Sequence, residues 1–412
     1  MNTLVVEPEY HPPVQLPFPD QAVSKLKVAL YSHDTMGLGH TRRNLLIAQA
    51  LTKLNASTLL ITGASQSAQF QMPEGVDCLT LPSLHKNGEG SYEAKALELS
   101  LEQLIELRSK AIKAALKVFK PDVFIVDNVP WGAENELKRA LKLLKKKGRC
   151  KLILGLRDIL DEAEVSKAQW QKRNYDEAIE NYFDSVWVYG DERIFNPVKE
   201  YELKPEVARK MRFLGYFDQR ARLELSQDPK LHIPKRPFVL CQVGGGQDGF
   251  KLAESFVKSH LPKGRHGLLI TGPYMPAQEL ARLKSIAESR SDMSLLTFIN
   301  EPTYLLQKAE RVIAMGGYNT VGEVLSFEKP FLVVPRVKPR LEQLIRAQKM
   351  AEHRLLDFLH PDDLTPEALS QWLNAEVHYP EIHGRFQFSA LKQICFELKS
   401  LMGEKEISYV AA

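Results

Sequence analysis

Three glycines in the stretch LCQVGGGQDGFKLA, residues 240 to 253, fall where chemistry is done. Gly244, Gly246 and Gly249 meet the Gly-x-Gly-x-x-Gly spacing by which a turn brings backbone N–H groups up to a phosphate. A nicotinamide or flavin loop also needs a carboxylate about 20 residues on, at the end of the next strand, for the ribose hydroxyls. That strand ends here in LLITGPY, with no carboxylate. A nucleoside-triphosphate loop ends in Gly-Lys-Ser/Thr, whereas this one runs Gly249, Phe250, Lys251, Leu252 and offers magnesium no hydroxyl. Two readings remain: a tight turn with no ligand, or a phosphate cradle of another kind.

A second loop bears on the choice. In AMGGYNTVGEVLSFEKPFLVVPRVKPRLEQLIRA, residues 314 to 347, a strand ends at Gly316 and Gly317. Asn319 or Thr320 can then cap a helix whose free N–H groups face an anion. Glu323, one turn in, can accept hydrogen bonds from a ribose diol, and a further strand and Pro335 lead to Arg340 and Gln343. At the carboxyl ends of parallel strands the two loops would flank one diphosphate.

The elements that must position these loops alternate. KVALYSH (27–33) reads as a buried strand, MGLGH as a glycine turn, TRRNLLIAQALTKL as an amphipathic helix and STLLITG (57–63) as a second strand. A helix near 93–119, a strand at 122–128, a Lys-rich helix at 134–147 and strands at 150–158, 185–191 and 212–217 continue the pattern. After a polar stretch the order restarts with FVLCQV, the glycine loop and FKLAESFVKSHL; LLITG recurs at 59–63 and 268–272, in equivalent places. The expectation is two Rossmann-like domains with parallel sheets facing across a cleft. Their bounds are a tail at 1–25, a first domain at 26–217, a linker at 218–237, a second domain at 238–384, and a C-terminal helix and tail at 385–412.

Composition excludes several classes. A 412-residue chain with 44% hydrophobic and 26% charged residues is of globular type and long enough for two domains. A net charge of +4 is too mild to make nucleic acid the main partner. Cys78, Cys150, Cys241 and Cys395 lie far apart, which argues against structural zinc and for a reducing, cytoplasmic setting. The proline-bearing N-terminus lacks an export signal's apolar core, and no stretch approaches the roughly 20 apolar residues of a spanning helix.

Residues 238–347 resemble the C-terminal half of glycosyltransferase family 28, GT-B enzymes that include the lipid II-forming N-acetylglucosaminyltransferase. The glycine loop followed by Gln247, the Gly-x-x-Thr-x-x-Glu spacing of Gly317, Thr320 and Glu323, and Pro335 with Gln343 carry the likeness. MGLGHTRRNLLIAQAL is similar to the glycine-histidine loop and helix that open these enzymes. The resemblance implies a UDP-sugar donor and no other cofactor. Gly244, Gly245, Gly246 and Gln247 would hold the phosphates, Glu323 the ribose and Gln343 the sugar hydroxyls. Ile299 would lie beside uracil, with Gly316, Gly317, Asn319, Thr320 and Arg340 around the same nucleotide. Two departures stand out: Gly246 replaces a serine often found in that loop, and Arg340 lies where the lipid II enzyme tends to have an acidic residue nearby.

On the same resemblance His40 faces the cleft as a base for the acceptor hydroxyl or a ligand to the donor; the alternative is a helix-start histidine bonded to backbone. Asp127, at the end of DVFIVDN, orients His40 or the acceptor, or merely caps its loop. Arg157 and Asp158 form either a salt bridge or an acceptor contact, and Arg220 assists the leaving group. Asp34 reads as a turn residue. Without an Asp-x-Asp the chain departs from metal-dependent transferases, so no metal site is expected.

The reaction expected is inverting, metal-independent transfer of a hexosyl group to an acceptor hydroxyl. The alternatives are a UDP-N-acetylglucosamine epimerase or hydrolase of the same fold and a non-catalytic nucleotide-sugar-binding regulator. The basic run ELKRALKLLKKKGR (136–149) is a solvated face or contacts anionic lipid, the latter suiting a glycolipid acceptor at the inner membrane surface.

Overall fold

The computed structural model describes residues 25–33, 39–65, 67, 72–86, 92–94, 96–224, 233–299, 301–376 and 379–403. Of the sequence expectations, the tail up to residue 24, Asp34, Gly37, the middle of the linker (225–232) and the end after 403 lie outside them.

Runs such as VALY (28–31) and VFIV (123–126), apolar at every position, suit strands covered on both faces, and they form them. In the first domain these are β1 (Lys27–Ser32), β2 (Ser57–Thr62), β3 (Val76–Thr80), β6 (Val123–Asp127), β7 (Lys151–Arg157), β8 (Ser185–Tyr189) and β9 (Met211–Phe213). A small antiparallel hairpin of β4 (Leu84–Lys86) and β5 (Tyr92–Ala94) stands apart. The main sheet is parallel throughout, ordered β3-β2-β1-β6-β7-β8-β9. The second domain repeats the plan with β10 (Phe238–Gln242), β11 (His266–Ile270), β12 (Met293–Leu296), β13 (Arg311–Ala314), β14 (Phe331–Val333) and β15 (Asp357–Phe358). Its order is β12-β11-β10-β13-β14-β15, again all parallel.

Each sheet reverses its winding once, between β1 and β6 and between β10 and β13. Loops on either side of such a reversal leave in opposite directions and open a crevice at the carboxyl ends of the strands. The first crevice has His40 and Asp127 on its two sides. The second is flanked by the Gly244–Gly249 loop and by Gly316–Gly317.

The largest apolar cluster is shared between domains. It joins Leu30, Ile125, Ile153 and Trp187 of the first sheet to Leu240, Val312 and Phe331 of the second, with Leu45, Leu46, Ile47, Ala48 and Leu51 of the helix Gly39–Thr52. Separate cores cover the opposite faces of the two sheets. The closing helix, Ala390–Met402, returns to the first domain, where it buries Ile394 and Leu398 and sets Cys395 Sγ 3.7 Å from the carbonyl of Ala50.

Two expectations shift. The helix foreseen near 93–119 spans Leu101–Phe119, because Ser100 and Gln103 form a reciprocal capping box that fixes its start. The linker is more than a tether: Gln219–Glu224 is a 3-10 helix bonded to both domains, from Gln219 N to Ser326 Oγ (3.0 Å) and from Gln49 Nε2 to the carbonyl of Ala221 (3.0 Å).

Candidate active site between the two sheets

His40 opens the first helix, and its Nδ1 lies 2.5 Å from Asp127 Oδ2 at the end of β6. Arg43 is three residues on, hence on the same helix face, and its guanidinium reaches both carboxylate oxygens at 2.6 Å. Arg43 Nη2 is also 2.9 Å from His40 Nδ1. One ring nitrogen cannot accept from arginine and donate to aspartate at once. Burial disfavours ionised Asp127, but Arg43 and then His40 outweigh it and hold the carboxyl well below its usual range. An ionised carboxylate accepts, so Nδ1 is the ring nitrogen that carries a proton toward it, and in the neutral ring Nε2 is the one left as acceptor. Asp127 therefore orients a histidine whose side chain is 20% exposed.

His33, at the end of β1, packs its ring 5.1 Å from that of His40. Burial foremost, and then His40, push its pKa from the ordinary 6.5 to about 3, so it stays neutral.

Across the cleft, Gly244 and Gly246 have positive φ and so turn the chain sharply after β10. Gly272, which closes the second LLITG, also has positive φ (81°), and a Cβ there would lie 2.3 Å from the carbonyl oxygen of Gly244. The repeated pentapeptide thus ends in the residue that lets the glycine loop fold down. Gly244, Gly245 and Gln247 are exposed, and Gly246 is buried. The loop feeds the helix Phe250–Lys258, whose N-cap Gly249 supplies no side-chain bond.

The helix Tyr318–Ser326 likewise starts from a glycine, Gly317. This corrects the expectation that Asn319 or Thr320 caps it, since both lie inside its first turn. At both starts the capping glycine offers the first N–H groups no side-chain acceptor, which suits them to an anion. Asn319 Nδ2 instead crosses the cleft to the carbonyl of Gly39, 3.0 Å away. A Cβ on Gly39 would lie 2.6 Å from that amide, so a glycine beside His40 is what allows the approach.

Glu323 is buried and ion-paired with Arg222 of the linker, which also bonds Glu301 at 3.0 Å. Ile299 is buried in the shared core, which leaves its backbone for a base, while the neighbouring Phe298 ring is 42% exposed. Gln343 Oε1 accepts from the N–H of Arg336 at 3.1 Å, and its backbone carbonyl packs against Gly316. Arg340 reaches toward Asp161 of the first domain, with Nε 3.8 Å from Oδ2. Arg220 is bonded to Asp218 at 2.6 Å on the surface, and Arg222 is the one that turns inward.

The Arg157–Asp158 salt bridge does not form. Asp158 bonds Arg346 of the second domain instead, at 2.8 Å, with both side chains almost wholly buried. Tyr216 adds its hydroxyl to the same carboxylate at 3.2 Å. Tyr318 donates its hydroxyl to the carbonyl of Tyr189 (2.9 Å), and its ring centroid lies 5.5 Å from the Arg43 guanidinium and 5.6 Å from that of Arg346. Sequence reasoning missed Arg43, Arg222, Tyr318 and Arg346. Only Arg43 carried a local signal, its spacing from His40. Among the described residues no group of three His, Cys, Asp or Glu side chains is gathered to hold a metal ion.

Two parallel doubly wound domains, each with its crevice turned toward the other, define the GT-B class. The calicheamicin glycosyltransferase CalG4 has this fold, with a TM-score of 0.60 at 13% identity over 92% of the present chain and 99% of its own. Residues 240–383 match the glycosyltransferase family 28 C-terminal domain. An uncharacterized glycosyltransferase of Methanosarcina acetivorans is 23% identical over 83% of this chain and 89% of its own. A shorter match, 32% identical over 18% of this chain and 21% of the other, is to the UDP-N-acetylglucosamine–N-acetylmuramyl-(pentapeptide) pyrophosphoryl-undecaprenol N-acetylglucosamine transferase of Shouchella clausii.

Proposed function

We propose that the cleft transfers a hexosyl group from a UDP-sugar to an acceptor hydroxyl in a single inverting displacement. The carrying observation is that the Asn319–Gly39 bond holds His40, already oriented by Asp127, against the start of the helix that follows Gly317. The two uncapped helix starts receive the diphosphate, and Glu323, with Arg222 beside it, faces the ribose. His40 Nε2 takes the acceptor's hydroxyl proton as its oxygen bonds to the anomeric carbon; the bond from that carbon to the phosphate oxygen breaks, and UDP departs. Asp127 stabilises the imidazolium so formed. Main-chain N–H groups take up the charge on the leaving diphosphate, so no metal is required.

The test pairs calorimetry with product analysis. UDP should bind with the same affinity with and without a chelator and should bind His40→Ala unchanged, while that variant loses about 10²–10⁴-fold in kcat. Release of an epimerised or free sugar by the wild-type enzyme, without transfer to any acceptor, would overturn the transferase reading.

For the acceptor we propose a lipid-borne hydroxyl presented at a membrane surface. No helix among the described residues is long and apolar enough to cross a membrane. The support is a surface on the first domain where Leu101–Phe119 packs against Lys138–Lys147. Exposed Lys113, Lys117, Lys142, Lys145 and Lys146 stand there with the apolar Leu107 and Val118, which are 43% and 80% exposed.

A further inference from the structure

Among the described residues, Arg157 is a cation of this cleft that forms no direct ion pair, and its Nε makes no hydrogen bond. It ends β7, two residues past Gly155, which pairs in register with Asp127 on β6. Alternation along the strands puts Arg157 on the face of Ile153, and Asp127 on the face of Val123 and Ile125, both lining the shared core. Arg157 and Asp127 therefore rise side by side at the first sheet's crevice. The side chain lies within the electrostatic reach of Arg43 and Asp127 on one side and of Arg346 and Glu342 of the second domain on the other.

Every nearby carboxylate among the described residues already has a partner, although Glu342 keeps one buried oxygen, Oε2, unbonded. Asp127 is held by Arg43 and His40, and Asp158 by Arg346. Glu342 bonds Arg336 at 2.8 Å, and Asp161 accepts from the N–H of Leu341 at 2.9 Å. Arg157 Nε is shut off from solvent yet has no hydrogen-bond partner among the described residues, although the residue as a whole is partly exposed. Burial, and then repulsion from Arg43 and Arg346, push its pKa down to about 10. A guanidinium is a forked donor fitted to a planar or tetrahedral oxyanion, and one kept unpaired within a protein carries an energetic cost that such a ligand would relieve.

We infer that Arg157 seats an oxyanion, a carboxylate or a phosphate, carried by the acceptor whose hydroxyl faces His40. This deepens the transferase reading and rests on it: the acceptor is an acidic molecule, with its charge held by the first domain beside the base. The donor's diphosphate is the other source of such an anion, and it would arrive from the glycine loops.

Full-length protein saturated with UDP is titrated with inorganic phosphate and, separately, with acetate, in the wild type, Arg157→Gln and Arg157→Lys. Saturable binding of at least one anion is expected, weakened about tenfold or more in Arg157→Gln and largely kept in Arg157→Lys. UDP affinity, measured alone, stays within about twofold in all three. Preference for phosphate or acetate tells a phosphorylated from a carboxylated acceptor. The inference is overturned if neither anion binds the wild type, if Arg157→Gln binds them equally well, or if that variant loses UDP affinity instead. Should Arg157→Gln not fold, phenylglyoxal labelling of the wild type decides, read by peptide mass spectrometry: protection of Arg157 by phosphate supports the seat, and equal labelling refutes it. Failure of UDP to bind the wild type would sink the donor reading alone, because phosphate titration without UDP still tests Arg157.

Discussion

At the scale of single residues the site is a set of charges sorted by burial. Asp127 is ionised because Arg43 and His40 surround it, and that ionisation fixes the His40 tautomer. His33, a ring's width away, is kept neutral by burial. Its effect on stability has a definite sign. Unfolded His33 binds a proton below about 6.5 and the folded residue only near 3, so the unfolded state takes up more protons between those values. Stability from His33 is complete above pH 6.5 and drains away as pH falls toward 3. Denaturant titrations across that range should show a flatter acid limb for His33→Gln than for the wild type; parallel limbs would mean that His33 is not buried neutral. His40 and Asp127 were readable as types at strand and helix ends. Arg157's isolation was not, because it depends on Asp158 turning to Arg346, 188 residues away along the chain.

At the scale of elements, the strand–helix alternation and the glycine turns were legible because the runs are apolar throughout and bounded by glycine. Short helices such as Ala163–Lys172 and Tyr175–Tyr182 went unread, since their patterns are brief and only tertiary packing stabilises them. The repeated LLITG proved informative in its last residue. Gly272→Ala would force a side chain into left-handed backbone and against Gly244, so UDP affinity should fall by about tenfold or more, with a smaller change in melting temperature. An unchanged affinity would detach the loop's shape from nucleotide capture. The paired helices Leu101–Phe119 and Lys138–Lys147 give another expectation: vesicles containing anionic lipid should sediment the protein, and neutral vesicles should not. Reversing Lys113, Lys117, Lys142 and Lys145 to glutamate should abolish the difference without altering UDP binding. Anionic vesicles that fail to retain the wild type would leave this face merely solvated.

At the scale of the whole molecule the domains are joined by more than the chain between them. The buried Asp158–Arg346 pair, the Tyr318–Tyr189 and Asn319–Gly39 bonds and the inward-turned Arg222 tie the cleft's two walls together. Removing one partner of a buried pair leaves the other charge uncompensated, so Asp158→Ala should cost about 3–5 kcal/mol in denaturant titrations. The same variant should enlarge the radius of gyration in solution scattering, because its loss frees one wall from the other. A stability loss without expansion would mean that the other contacts across the cleft hold the two walls together without this pair.

The return of Ala390–Met402 to the first helix also sets an order of events during synthesis. Ala50 and the apolar side chains around it stay uncovered while the ribosome completes more than three hundred further residues, until Ile394 and Leu398 emerge. Of the two domains, the one translated earlier is thus finished only after the later one, and a chaperone would meet it with that flank still bare.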